Sequence, residues 1–130
     1  MKVLIVASEP DQGFIGEGLK EIGFTTSNII TIDDGRQVIR CLLQFPSVNL
    51  IITGFRMLGA NGLEVTREVK KFVKPPWVVI IVPWAEREIA RPVAEAVKVD
   101  ALLYYPFEAM ALRGVIEETA NRPPRRILWA

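Results

Sequence analysis
Short apolar runs recur along the chain at intervals that each leave room for one helix, and this alternation restricts the fold more than any other feature of the sequence. Val3 to Ala7, Leu50 to Ile52, Val78 to Val82 and Ala101 to Tyr105 are such runs, and continuous rather than alternating hydrophobicity marks strands covered on both faces. Between and after them the apolar residues change to helical spacing. The sets are Ile15, Leu19 and Ile22; Val38, Ile39, Leu42 and Leu43; Val65, Val69, Phe72 and Val73; Ile89, Val93, Ala96 and Val97; and Leu112, Val115, Ile116 and Thr119. A further strand is expected within Thr25 to Ile32, a β-branched stretch interrupted by polar residues that suits a sheet edge and ends at the turn signal Asp34-Gly35. Strict strand–helix alternation calls for a parallel sheet with right-handed crossovers, so the chain reads as one doubly wound α/β domain of five βα units.

Size and composition narrow the function. The 130 residues, half of them hydrophobic, suffice for one core and one domain. We place its boundary at residues 1–121 and treat 122–130 as a C-terminal tail or linker stub, because Pro123 and Pro124 end the last helix. The tail's Ile127, Leu128 and Trp129 also suit a docking strip. Sixteen basic against fifteen acidic residues leave a net charge of +1, which gives no field for nucleic acid or an acidic membrane. Arg122, Arg125 and Arg126 are too few charges for strong nucleic-acid binding. No apolar stretch is long enough to span a membrane, and the N-terminal run is short and followed by Ser8-Glu9-Pro10, unlike a secretory signal. The single cysteine, Cys41, excludes an internal disulfide framework and is expected to be a partly buried, unreactive thiol. A cytoplasmic protein is expected. Histidine is absent, which removes the usual general base and the commonest metal ligand. No cofactor and no metal are expected. The glycines of Gly13-Phe14-Ile15-Gly16-Glu17-Gly18 do not have dinucleotide-binding spacing and fit close helix–sheet packing instead.

Several segments together resemble the response-regulator receiver domain of two-component signalling. Lys2-Val3-Leu4-Ile5-Val6 followed by Glu9-Pro10 resembles its opening, Gly23-Phe24 its Gly-Tyr before the second strand, and Asp34-Gly35 its Asp-Gly before the second helix. Gly59 and Asn61-Gly62-Leu63-Glu64 resemble the loop glycine and Asp-Gly-Leu-Glu that open the third helix, and Pro106-Phe107 matches the Pro-Phe after the fifth strand. The resemblance covers about residues 1 to 120. It implies a CheY-like, flavodoxin-like sheet in order 2-1-3-4-5.

The same resemblance implies a phosphorylation site that this sequence has emptied. The family phosphorylates an aspartate beside magnesium-binding carboxylates, with a hydroxyl and a lysine steadying the added charge. Here the acidic pair falls on Ala7 and Ser8, the phosphoacceptor on Gly54, the hydroxyl on Val82 and the lysine on Tyr105. Thr53 and Ser8 are poor substitutes, because a hydroxyl needs an activating base and Glu9 is the nearest candidate. The carboxyl ends of the strands form the natural crevice of such a sheet, expected to gather Glu9, Phe55, Arg56, Trp84 and Tyr105 around these positions. Tyr105, Phe55 or Trp84 is expected to fill the space left by Ala7 and Gly54, and Arg56 to pair with Glu9 or with solvent.

The implied function is a pseudo-receiver that is not an enzyme and signals by binding a protein partner without phosphorylation. A homodimer through the face of the fourth helix, fifth strand and fifth helix is also expected. Arg87, Arg91, Glu95, Leu102, Tyr104 and Trp129 are the candidate interface residues. Leu102 occupies the position where the family often carries a switching aromatic. The alternative is a sensor that binds an anionic or planar small molecule in the former phosphorylation crevice through Arg56 and Tyr105.

Overall fold
The computed structural model describes residues 1–56 and 59–127, so Leu128 and Trp129 of the expected docking strip lie outside the described residues. The expected alternation is observed. Strands β1 (Val3–Val6), β2 (Ile29–Ile32), β3 (Leu50–Gly54), β4 (Trp77–Pro83) and β5 (Ala101–Tyr105) alternate with helices α1 (Asp11–Glu21), α2 (Val38–Gln44), α3 (Gly62–Val69), α4 (Arg87–Ala96) and α5 (Ala109–Ala120). The strands form one parallel sheet in order β2-β1-β3-β4-β5.

Side-chain alternation along the strands divides the interior into two cores. Leu4, Val6, Ile51, Val78, Ile80 and Val82 pack with Val38, Leu42, Val65, Val69, Ala90 and Ala94 on the face covered by α2, α3 and α4. Val3, Ile5, Leu50, Ile52, Val79, Ile81 and Leu103 pack with Ile15, Leu19, Leu112 and Ile116 on the face covered by α1 and α5. Strands β1 and β3 are buried at every position, which is why they read as unbroken apolar runs. Edge strand β2 is only partly covered and exposes Thr31, which explains its mixed sequence.

The loop glycines have local reasons. A Cβ on Gly62 would run into the carbonyl oxygen of Gly54, so the close seating of α3 against the end of β3 requires glycine there. Gly59 has φ +80°, a left-handed conformation unfavourable for other residues. Asn61 caps α3 by accepting from the Glu64 amide at 2.9 Å, and the Glu64 side chain accepts from the Asn61 amide at 3.3 Å. Among the described residues, no helix is long and apolar enough to cross a membrane.

Three helical faces differ from expectation. Leu43 is exposed, and α3 ends at Val69, leaving Val73 exposed beyond it. The fourth helix is rotated relative to the pattern read from its apolar residues. Ile89 and Val93 are 65% and 44% exposed and Ala96 is exposed as well, while Ala90 and Ala94 pack into the core and Val97 stays buried. Alanine on the inner face lets α4 lie close to the strands, and close packing outweighs the larger hydrophobicity of Ile89 and Val93. Cys41 is buried in α2, and desolvation pushes its thiol pKa up, which favours the unreactive protonated form.

Candidate functional site: the carboxyl-end crevice and the fourth helix
The carboxyl ends of β1 and β3 lie side by side, with Val6 in register with Thr53. Ala7 continues from β1 and is buried, and Gly54 closes β3. A Cβ on Gly54 would lie 4.0 Å from the Ala7 Cβ and 3.5 Å from the Arg56 carbonyl oxygen. The corner thus presents a methyl group to a residue without a side chain. The Ser8 carbonyl accepts from the Gln12 amide at 3.0 Å and helps begin α1. Thr53 is fully buried and donates its hydroxyl to the Gly54 carbonyl at 3.1 Å. Val82 is likewise buried, on the α4 side of the sheet.

The surrounding aromatics do not collapse together into this corner. Phe55 is buried, but in the core beneath α2, α3 and α4. Tyr105 faces the opposite side, its ring 5.9 Å from Phe14 and 6.1 Å from Phe107. Trp84 is 55% exposed and stands edge-on to Tyr104, with ring centroids 5.6 Å apart. Arg56 pairs with Glu86 at 2.6 Å, not with Glu9, and its guanidinium lies 5.3 Å from the Phe55 ring centre. Glu86 raises the Arg56 pKa through this hydrogen bond. Glu9 is exposed, and its carboxylate lies against Gly13 of α1. Magnesium is the ion that the resemblance implies, and Ala7, Ser8 and Gly54 do not fit it because they offer no carboxylate at the three positions.

Solved structures share this architecture. A response regulator receiver domain protein from Clostridium thermocellum superposes with a TM-score of 0.79 at 21% identity, covering 93% of this chain and 94% of that one. A putative response regulator from Chloroflexus aurantiacus gives a TM-score of 0.82 at 14% identity, covering 93% and 98%. Chemotaxis response regulator CheY4 of Vibrio cholerae gives 0.76 at 21%, covering 91% and 97%. The chain has the receiver fold. No family profile matches the sequence, and no curated protein matches it.

Within this receiver fold, the outer side of α4 carries a surface rich in aromatic and arginine side chains. Trp84, Arg87, Glu88, Arg91, Pro92 and Tyr104 line a groove of about 350 Å³. The Arg87 guanidinium lies 4.1 Å from the Trp84 ring centre and donates to the Trp84 carbonyl at 2.7 Å, holding the indole upright. Arg87, Arg91 and Tyr104 line this groove together, and Trp84 lies with them and not in the crevice. The other candidates go elsewhere. Leu102 is half-buried against the core, Glu95 accepts from Arg125 at 3.1 Å, and Trp129 lies outside the described residues. Sequence reasoning assigned Ile89 and Val93 to the core; alanines one residue after each were the signal that the helix could seat itself the other way.

Proposed function
We propose that this receiver-like domain serves two-component-type signal transduction by binding a protein partner, without being phosphorylated. The observation that carries the proposal is the juxtaposition of Ala7 and Gly54 at the sheet's carboxyl end. An acyl-phosphate needs an ionised carboxylate as nucleophile, and the added charge needs a cation beside it. A methyl group and a hydrogen supply neither. Thr53 is a weak substitute because its hydroxyl is buried and points into a hydrogen bond with the Gly54 carbonyl.

The partner surface that best fits is the outer side of α4 together with β5. Trp84 and Tyr104 provide aromatic area, and Arg87 and Arg91 provide directional charge. This aromatic and arginine composition is characteristic of energetically important interface positions. A symmetric homodimer across the same face is included in the proposal. The small-molecule alternative is less well supported, since Arg56 is engaged by Glu86 and Tyr105 lies between Phe14 and Phe107.

The test is intact-mass spectrometry after incubation with acetyl phosphate and magnesium, beside a receiver that retains its aspartate. The expected result is a labelled control and an unlabelled domain. A stoichiometric adduct at one residue would overturn the proposal.

A further inference from the structure
Residues 122–127, which follow α5, lie against the domain. They cross the amino-terminal ends of β4 and β5, at the end of the sheet opposite the carboxyl-end crevice. The Trp77 indole N–H donates to the Arg122 carbonyl at 2.7 Å. The Arg125 amide donates to Asp100 Oδ1 at 2.8 Å, and the Ile127 amide donates to the Lys70 carbonyl at 2.9 Å.

Asp100 is the centre of this arrangement. Its second oxygen, Oδ2, accepts from the Lys70 ammonium and from the Val78 amide at 2.7 Å. The carboxylate thus joins the end of α3, the start of β4, the start of β5 and the segment after α5. The tail arginines add to the connection. Arg126 donates to the Phe72 carbonyl just after α3 at 3.1 Å, while Arg125 donates to the Val99 carbonyl just after α4 and to Glu95 within α4, both at 3.1 Å. Both carbonyls belong to the loops that follow the helices, so the two guanidinium groups tie the tail to the chain just beyond α3 and α4. The α4 end has its own strain point, with Lys98 at φ +63° and the Val99 amide returning to the Ala94 carbonyl at 3.2 Å.

We propose that Asp100 is a latch that holds the segment after α5 against the ends of α3 and α4, so that docking or release of this segment sets how firmly α4 is seated. If the segment leaves, Asp100 keeps Lys70 and Val78 as partners and the buried charges remain paired. Release is therefore a local opening that leaves the sheet intact, the kind of two-state element on which a switch is built. The connection would tie whatever moves the chain's end to the helix proposed as the partner surface. Its significance for signalling rests on that function, whereas the latch does not.

Arg125→Pro deletes the amide that donates to Asp100, and Arg125→Ala removes the same guanidinium while keeping the amide. Amide hydrogen exchange of the full chain distinguishes them without any partner or phosphorylation. In the parent, the Ile127 amide is expected to exchange at least about tenfold more slowly than an unstructured amide. Arg125→Ala retains most of this protection. Arg125→Pro loses it and accelerates exchange at Val97, Lys98 and Val99 about threefold or more, with β1 and β3 unchanged. An unprotected Ile127 amide in the parent overturns the proposal. Identical exchange profiles for the two variants, or acceleration spread evenly over the sheet, would do the same.

Discussion

The Lys70 ammonium and the Asp100 carboxylate form an ion pair in which both side chains are shielded from water, with exposures of 0% and 4%. The ammonium also donates to the Pro76 carbonyl at 2.9 Å. Other ion pairs among the described residues have at least one partner well exposed, so their strength is reduced by solvent. Removing one member of a buried pair strands the other charge. Lys70→Met and Asp100→Asn are each expected to cost about 3–5 kcal/mol in urea unfolding. The double variant should cost clearly less than the sum. Additive losses would show that the two groups do not act as a pair.

The pair also gives stability a pH signature. Desolvation lowers the Lys70 pKa from its ordinary 10.5, and Asp100 offsets part of this shift. In the interval just below 10.5 the unfolded chain holds a proton that the folded chain has released. Stability from this group therefore rises with pH across that interval. Parent and Lys70→Met, unfolded in urea at a series of pH values, should show a stability gap that widens toward 10.5. A gap that is flat or narrows contradicts the assignment.

Carboxylates can be introduced at the carboxyl-end crevice in steps. A side chain at Gly54 meets only ordinary contacts, so Gly54→Asp should fold. It should nevertheless show no magnesium-dependent change in Tm, because Ala7 and Ser8 supply no further carboxylate. Adding Ala7→Asp and Ser8→Asp creates three mutually repelling carboxylates whose charge magnesium would relieve. At a magnesium concentration one hundred times Kd the triple variant should gain about 2.7 kcal/mol. A magnesium response in Gly54→Asp alone would mean that another carboxylate reaches the site.

The two sides of α4 should respond oppositely. Ile89→Lys and Val93→Lys lie on the exposed side and should change stability by about 0.5 kcal/mol or less. Trp84→Ala with Arg91→Glu, both in the groove, should abolish self-association measured by sedimentation velocity. Ala94→Leu inserts bulk between helix and sheet and should cost about 1–3 kcal/mol. Self-association that survives the Trp84→Ala, Arg91→Glu variant would move the interface away from this groove.

Some of the site was legible residue by residue. Counting back from Gly59 gives Gly54 as the position of the family's phosphoacceptor, and in the structure Gly54 closes β3, with a Cβ built there 4.0 Å from the Ala7 Cβ. These positions follow from strand length and a fixed turn, which are local properties. The partner of Arg56 was not legible, because Glu86 is 30 residues away and meets it only once β3 and β4 pair. Trp84 was assigned to the crevice for a related reason, since its position at the end of β4 did not reveal the direction of its ring.

The sequence by itself determined the alternation of strands and helices, the two-sided burial of β1, β3 and β4, and the absence of carboxylates at Ala7, Ser8 and Gly54. Each depends on residue type and short spacing. Only the tertiary structure decided which side of α4 faces the sheet, since periodicity marks two apolar stripes there and packing distance chooses between them. It also decided the place of Asp100, which sequence reading passed over as one acidic residue before β5. Its contacts with Lys70, Val78 and Arg125 come from segments far apart in the chain, and they meet because the fold brings the end of α3, two strand starts and the tail to one point.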